Sequence, residues 1–205
     1  MSNIETFSIT NQALIDAFLI ECSHGTLAVS ADDIPYCVNV FFLYLDGYIY
    51  FHSNPKARKV AMIRKNPNVS FNIKKEYSQL SSYFFHPEIG CYGGKLYKSV
   101  TIDGKAEFVD VIDDRIRIFT ELMKKLQPEG GHSEFTEKIR WVAKEFTSVI
   151  RISPDNIAAK WKMGQNYNDE SFKKLIDNLK SRNTLIDNET VEEMQKLRPL
   201  LLREL

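Results

Sequence analysis

A predicted β-hairpin centred on Asp46-Gly47 constrains the fold of this chain more than any other stretch of its sequence. The dipeptide stands between two runs rich in aromatic and β-branched residues, at positions 36–45 and 48–53. Asp-Gly favours a two-residue type I′ turn, because both central residues of that turn need a positive φ. We therefore predict a continuous strand on each side of the turn, with Phe41 paired opposite His52.

Side chains alternate along a strand, so the hairpin has two faces of different character. One face is apolar and is predicted to be core; it comprises Val40, Phe42, Ile49 and Phe51, with Ser53 at its end. The other face combines an amide, an imidazole and aromatic rings; it comprises Asn39, Phe41, Leu43, Tyr50 and His52. This second set is unusual for a surface that has no ligand.

The residues after the hairpin predict a helix whose start is positively charged. Asn54-Pro55 is typical of a helix start, since asparagine is a frequent N-cap and proline is tolerated at the first helical position. Lys56, Arg58 and Lys59 then add positive charge where free backbone N–H groups already favour an anion. The pattern indicates a phosphate pocket beside the polar sheet face. The alternative that this stretch leaves open is a solvated basic helix face.

Composition limits the class of protein. The chain has 205 residues, of which 43% are hydrophobic and 26% charged, as in an ordinary soluble domain with or without an appendage. Its 27 basic and 27 acidic residues balance, which makes a nucleic-acid partner an unfavoured prediction. The three cysteines form no C-x-x-C pair, so we expect a reducing compartment, no disulfide scaffold and no metal site. Without a signal-peptide pattern or an apolar run of about 18 residues, we expect a cytoplasmic protein with no membrane span.

Hydrophobic periodicity predicts a mainly β fold with flanking helices. Six strands are predicted, at 25–31, 36–45, 48–53, 68–74, 97–109 and 146–152, and helices at 11–21, 55–66, 113–126, 134–141, 169–182 and 190–205. Hairpins and short turns favour antiparallel pairing over a Rossmann sheet. We predict a six-stranded antiparallel β-barrel domain over residues 1–153. Residues 154–205 are predicted to form a C-terminal segment with helices that packs on the barrel or on a second subunit.

Residues 76–96 combine aromatic side chains with glycines that interrupt regular structure. This composition suits either a lid over a ligand or a long β-connection that covers apolar surface. The run from Gly90 to Lys95 lacks both the spacing and the hydroxyl residue of a P-loop.

Six short blocks of the sequence occur in an order found in a known superfamily. They are Gly25-Thr-Leu-Ala, Tyr36-Cys-Val-Asn39, Tyr50-Phe-His-Ser53, Ala57-Arg-Lys59, Ile63-Arg-Lys-Asn-Pro67 and Tyr97-Lys-Ser-Val100. Together they resemble the FMN-binding split-barrel superfamily, and within it the pyridoxamine 5′-phosphate oxidase-like flavoproteins related to nitroimidazole-resistance (Nim) proteins. Two positions depart from the pattern, since Cys37 stands where relatives often have proline and Ala57 where many have glycine.

The resemblance implies a homodimer that binds FMN in a cleft between its subunits. The positions that match cofactor-binding blocks are Val38, Asn39, His52, Ser53, Arg58, Lys59, Ser99 and Val100. Among them, Arg58 and Lys59 are implied to hold the phosphate, a role that suits guanidinium and ammonium groups.

The segment from Lys160 to Asn166 resembles the Lys-Leu-Ser-Gln-Asn segment of the PaiB-like branch, some members of which are described as transcriptional regulators. A C-terminal segment of split barrels often reaches the flavin of the partner subunit. The resemblance therefore implies cofactor or substrate contacts for Lys160, Trp161, Gln165 and Asn166. For Trp161, packing at the dimer seam is the alternative.

The activity implied by the resemblance is an FMN-dependent oxidoreductase. Electrons would pass from NAD(P)H to a small organic acceptor, for which a nitroaromatic compound is one candidate. His52 is the candidate acid–base residue because imidazole titrates near neutrality, and a structural hydrogen bond to FMN is its alternative role.

Three alternatives to this activity stay open. They are a non-catalytic flavin-binding sensor or regulator, a pyridoxamine-phosphate oxidase, and a protein with haem or deazaflavin in place of FMN. The C-terminal Arg-Leu-x-x-Arg signature of the oxidase is not apparent in this sequence.

Overall fold

A computed structural model describes residues 5–86, 88–131, 140–141, 143 and 145–201 of the chain. The strands of the described part are β1 Ser8–Ile9, β2 His24–Ala31, β3 Ile34–Phe41, β4 Leu43–Leu45, β5 Tyr48–Ser53, β6 Asn68–Leu80, β7 Gly94–Phe108 and β8 Ser148–Lys162. Its helices include α1 Gln12–Glu21, α2 Arg58–Lys65, α3 Ile112–Leu126, α4 Asp169–Arg182 and α5 Leu185–Leu201. The short helix predicted at 134–141 lies mostly outside the described residues.

The strands form one sheet with flanking helices, which confirms the predicted fold class. Their order is β3-β2-β6-β7-β8-β5-β4, with β1 paired to β8, and the pairings β1–β8, β2–β3, β2–β6, β4–β5 and β5–β8 are all antiparallel. The predicted number of six strands is wrong, because the described residues form eight. The short β1 was not predicted, and the first hairpin strand is split in two.

The split occurs at Phe42, which is fully buried. Leu45 pairs with Tyr48 across the Asp46-Gly47 turn, as the sequence predicts, and both turn residues have positive φ. Upstream of Phe42, however, β3 pairs with β2.

The predicted pairing of Phe41 with His52 is therefore wrong, since Phe41 lies opposite His24. Because β3 and β4 are the first and last strands of the order, Phe42 alone joins the two ends of the sheet.

The chain divides into two compact units, each built from separate stretches of sequence. The first unit contains Met1–Ile15, Lys74–Val100 and Ala158–Leu205, and the second contains Asp16–Ile73 and Thr101–Ile157. Strands β6, β7 and β8 contribute residues to both units. The predicted boundary between residues 153 and 154 lies inside β8, and the division into a barrel domain and a C-terminal segment stays a prediction.

In the second unit, the face predicted as core is buried. It comprises Val40, Phe42, Ile49, Phe51 and Ser53. Helix α3 covers the apolar part of the other face, where Leu43 and Tyr50 pack with Ile118 and Leu122. Only part of the second face therefore reaches solvent, and that part includes Asn39 and His52.

In the first unit, buried polar contacts attach α5 to the strands. The Asp187 carboxylate is fully buried and accepts hydrogen bonds from Arg182 Nε at 2.8 Å and Ser78 Oγ at 2.5 Å. Lys98 is also buried and pairs with Glu193 of α5. No helix among the described residues is long and apolar enough to cross a membrane.

Candidate functional site

The basic helix α2 begins at Arg58, later than Asn54-Pro55 predicts. The Asn54 side chain instead accepts a hydrogen bond from Lys56 N at 2.8 Å, and the Asn54 carbonyl accepts one from Ala57 N at 3.0 Å. These bonds form a turn, so the prediction of Asn54 as the N-cap is wrong. Ala57 occupies the cap position and has no side-chain hydrogen bond to the helix. The first-turn N–H groups therefore lack a side-chain cap, and Arg58 and Lys59 are the first two helical residues.

The charges of Arg58 and Lys59 are not neutralised within the described part of the chain. Neither residue forms an ion pair there, whereas Lys65 at the other end of α2 pairs with Asp32 at 2.5 Å. The Arg58 guanidinium lies 4.5 Å from the centroid of the Tyr36 ring, which supports one face of its plane. Its hydrogen-bond donors remain available to an anion.

Ser53 ends strand β5 just before this helix, and its side chain is 6% exposed. Its Oγ is buried and has no hydrogen-bond partner among the described residues. A buried hydroxyl without a partner costs about 1–3 kcal/mol, and such a group in a native structure calls for an explanation, for which a functional role or a bound water or ion are candidates. The hydroxyl therefore fits a polar ligand atom in this part of the second unit.

His52 precedes Ser53 and points to the opposite face of β5. Its ring packs edge-on against Phe119 of α3, with centroids 5.8 Å apart. Partial burial, and then the positive charge of Lys59, lower the pKa of His52 below its ordinary value. The fold therefore favours a neutral imidazole, which can both donate and accept a hydrogen bond. An acid–base role for His52 stays a prediction.

Val38 and Asn39 lie on β3 and face opposite sides of the sheet. Asn39 is exposed and accepts a hydrogen bond from Thr26 Oγ1 at 2.8 Å. The polar row continues across the sheet, where Asn72 donates to Thr101 Oγ1 at 2.8 Å. Sequence reasoning missed Thr26, Asn72 and Thr101. Their signal was the alternation of small polar residues along strands whose other face is apolar.

The remaining predicted site residues belong to the first unit. Ser99 Oγ donates to the Lys160 carbonyl at 3.4 Å, Val100 is fully buried, and the side chains of Lys160 and Asn166 are exposed. Lys160, Trp161, Gln165 and Asn166 lie in one segment, which is the end of β8 followed by a turn.

Trp161 and Gln165 pack inside the first unit. Trp161 is 1% exposed, and the Lys98 ammonium lies 4.6 Å from the centroid of its ring. Gln165 is 5% exposed; it accepts a hydrogen bond from Met163 N at 2.8 Å and donates one to the Trp161 carbonyl. Contacts of Trp161 and Gln165 with a cofactor stay predictions.

A cavity of about 200 Å³ adjoins the start of α2 and is lined by Arg58, Asp32, Ile34 and Met62, among others. Small-molecule sites typically measure about 300–1,000 Å³. This cavity alone is therefore too small to enclose a flavin, although its wall includes a guanidinium suited to phosphate.

The family model described as pyridoxamine 5′-phosphate oxidase matches residues 11–161 of the chain. Because this match spans well over half of the sequence, the chain belongs to that family. The superfamily inferred from the six sequence blocks is confirmed. No curated protein matches the chain at a significant level.

Several solved structures have a similar fold. One is described as a 5-nitroimidazole antibiotic resistance protein from Bacteroides thetaiotaomicron, with a TM-score of 0.60 and 18% identity over 75% of this chain and 85% of that one. Another is the FAD and heme binding protein of Mycobacterium smegmatis, with a TM-score of 0.64 and 15% identity over 81% and 78% of the two chains. A third is the flavocytochrome Anf3 of Azotobacter vinelandii, with a TM-score of 0.66 and 14% identity over 84% and 78%. At these identities the likeness establishes the fold alone.

Proposed function

We propose that this protein is an FMN-dependent oxidoreductase that passes electrons from NAD(P)H to a small organic acceptor, with nitroaromatic compounds as candidate acceptors. The observation that carries the proposal is the buried hydroxyl of Ser53, which has no hydrogen-bond partner among the described residues and comes just before the uncapped start of α2 in the chain. Family membership supports the proposal, as do the descriptions of two fold neighbours, as a FAD and heme binding protein and as a flavocytochrome.

The second unit offers suitable groups for one phosphate and one ring system. Arg58 and Lys59 would bind the phosphate through charge-assisted hydrogen bonds, together with first-turn N–H groups of α2. Ser53 Oγ would donate or accept one hydrogen bond, which removes the cost of leaving that atom unpaired. His52 would act as a neutral hydrogen-bonding group. A bound flavin supplies the electron-transfer chemistry, and the protein supplies binding, orientation and exclusion of water.

The proposal includes a homodimer in which a second subunit completes the cofactor cleft. Its support is the size of the cavity beside Arg58, about 200 Å³, which is below the usual range for ligand sites. In the proposed dimer, Lys160, Gln165 and Asn166 of one subunit contact the cofactor that is bound to the other subunit. FMN is preferred over FAD because the start of α2 offers one compact phosphate site. A cytoplasmic location is part of the same proposal.

One experiment tests the proposed activity directly. The purified protein is examined for the oxidised-flavin band at about 450 nm, and NADH or NADPH is then added without oxygen. The expected result is bleaching of the band, followed by its recovery when a nitroaromatic acceptor is added. The released cofactor is identified by chromatography as FMN or FAD. A colourless protein that neither flavin can reconstitute would overturn the proposal.

The same experiment separates the alternatives. A bound flavin that no nicotinamide reduces would indicate a flavin-binding sensor or regulator. Oxygen-dependent turnover of pyridoxamine 5′-phosphate, without any need for a nicotinamide, would indicate an oxidase. A Soret band in place of the flavin spectrum would indicate haem.

A further inference from the structure

The first unit carries a second concentration of positive charge, on strands β6, β7 and β8. We call the set Lys74, Lys95, Lys160 and Lys162 the lysine face. Residues 95, 97 and 99 alternate with buried residues 96, 98 and 100 along β7, and Lys160 and Lys162 alternate with buried Trp161 along β8. The lysines therefore lie on the sheet side opposite the one where Lys98 pairs with Glu193 of α5.

Contacts between neighbouring strands join these residues into one surface. Lys74 Nζ lies 5.7 Å from the centroid of the Tyr97 ring, and Glu76 on the same strand pairs with both Lys74 and Lys95. Lys162 Nζ lies 3.3 Å from the position that a Cβ would occupy at Gly94. Glycine at position 94 therefore leaves room for an ammonium group beside the start of β7.

The charge of the lysine face is only partly balanced. Lys160 and Lys162 form no ion pair with a described residue, and Glu76 is the carboxylate that contacts the other two lysines. Hydrogen bonds from Lys74 and Lys95 lower the pKa of Glu76 to about 2, so this carboxylate stays ionised at any physiological pH. A group of four ammonium ions with one carboxylate favours a ligand that carries two or more negative charges.

A cavity of about 710 Å³ adjoins this surface; it is lined by Lys95 of the lysine face and by Gly94, which lies beside Lys162. Its volume lies in the range of small-molecule sites, about 300–1,000 Å³. Ser81, Ser82 and Tyr83 line the cavity, and Tyr83 is 65% exposed, so its ring is available for stacking. The cavity is therefore suited to a polar, partly aromatic molecule.

We propose that the lysine face and its adjoining cavity bind a dinucleotide, with the pyrophosphate on the lysines and one base against Tyr83. Neighbouring strands lie about 4.8 Å apart, so three strands present a patch about 10 Å wide. That width suits a small molecule, whereas a nucleic acid carries one charge every 1.7 Å or so and usually needs a longer basic surface. Lysines act as point charges for phosphate and need no fixed approach angle.

The identification of this dinucleotide as the electron donor rests on the proposed function; the site itself does not. Binding is therefore measured without turnover. NADP⁺ and inorganic pyrophosphate are titrated calorimetrically into the flavin-free and flavin-loaded protein at low and at high salt. The wild type is expected to bind both probes, and more weakly at high salt, because the contacts are screened charges.

Two variants test the lysines themselves. Lys95→Gln combined with Lys162→Gln is expected to weaken NADP⁺ binding by about tenfold, which corresponds to about 1.4 kcal/mol. The matched control, Lys173→Gln with Lys174→Gln, removes the same charge from exposed positions of α4 and is expected to leave binding unchanged. Glu76→Gln removes the carboxylate from the patch and is expected to strengthen binding, an effect that misfolding cannot imitate.

The outcomes separate this site from the proposed activity. Absence of NADP⁺ and pyrophosphate binding, or equal binding by the wild type and the double lysine variant, overturns the inference. So does tighter binding of a short DNA duplex than of NADP⁺, or loss of self-association rather than of ligand binding in the double variant. If NADP⁺ binds as expected but NADPH never reduces a bound flavin, the site stands and the proposed reductase activity fails.

Discussion

Two arginines, one in each unit, show how the same side chain serves different purposes. Arg182 in the first unit contacts the buried Asp187 through two nitrogens, donates to the Gln79 carbonyl at 2.9 Å, and lies 5.2 Å from the centroid of the Phe84 ring. Arg58 in the second unit also lies over a ring, that of Tyr36, but no described carboxylate contacts it.

The difference indicates which cations are available to ligands. Most donors of Arg182 are used inside the protein, so its charge stabilises the fold and has little left for a ligand. Arg58 stacks on Tyr36, and its donors have no partner among the described residues, so they are available to an anion such as a phosphate. A count of basic residues does not distinguish Arg182 from Arg58, whereas a count of the described groups that each arginine contacts does.

The largest expected effect tests the structural half of this comparison. Asp187→Asn leaves Arg182 without its carboxylate and is expected to destabilise the fold by about 3 kcal/mol in urea unfolding. Asp177→Asn, at an exposed position of α4, is the control and should change little.

The pH dependence of stability gives a second test of the Asp187–Arg182 pair. Hydrogen bonds from Arg182 hold the pKa of Asp187 well below its ordinary value of 3.8. Its contribution is therefore present above about pH 4 and is lost as the pH falls further, so the gap between wild type and variant should narrow in acid. A difference below about 1 kcal/mol at pH 7 would contradict the structural role.

The second largest expected effect tests the ligand-binding role proposed for Arg58 and Lys59. Arg58→Ala with Lys59→Ala is expected to lower flavin affinity by about 100-fold, because two charge-assisted contacts are lost. The unfolding free energy without flavin should change by less than about 1 kcal/mol, since only the stacking on Tyr36 is removed. Lys173→Ala with Lys174→Ala is the matched control. Unchanged flavin affinity in the Arg58 and Lys59 variant would show that the phosphate lies elsewhere.

Two buried serines, Ser53 in the second unit and Ser78 in the first, allow a further comparison of the two units. Ser53 Oγ has no hydrogen-bond partner in the described part of the chain, whereas Ser78 Oγ donates to Asp187 at 2.5 Å. Ser53→Ala is expected to leave the flavin-free protein as stable or slightly more stable, while flavin affinity falls by about tenfold. Ser78→Ala should do the reverse, with a loss of about 1–2 kcal/mol of stability and normal flavin affinity. Equal effects of the two substitutions on stability would argue that Ser53 has an internal partner.

The smallest expected effect concerns the ionisation of His52. Burial is the larger cause of its lowered pKa and Lys59 the smaller, so Lys59→Ala should raise this pKa only part of the way towards 6.5. NMR titration of the imidazole measures the change, with Lys65→Ala as the control in the same helix. Because the folded pKa is lowered, the contribution of neutral His52 is present above pH 6.5 and is lost as the pH falls through the folded value. An unchanged pKa would place Lys59 too far from the ring to act on it.

Local signals in the sequence predicted well, and signals that depend on distant partners predicted poorly. The Asp46-Gly47 turn and the end of α2 before Pro67 were found because each depends on the backbone geometry of two or three residues. The pairing of β3 with β2 was missed because periodicity identifies a strand and its faces but not its neighbour.

The candidate site shows the same limit. Arg58 and Lys59 could be identified from their positions after Asn54-Pro55, although the helix starts later than predicted. The buried hydroxyl of Ser53 could not be identified, because its lack of a partner among the described residues depends on how several distant segments pack around it. The lysine face was also missed, because its lysines lie on three strands. The first and the last of these lysines are more than 80 residues apart in the chain.

The pairing of β5 with β8 has a consequence for how and when the candidate site is assembled. Ile49 lies opposite Ile152, so this contact closes a loop of about 100 residues, at an entropic cost of about 4 kcal/mol. The β2–β3 and β4–β5 hairpins are local and can form early during synthesis. The strand that carries His52 and Ser53 gains its second neighbour only after the ribosome has released residue 152. Assembly of the candidate site should therefore be a late step in folding.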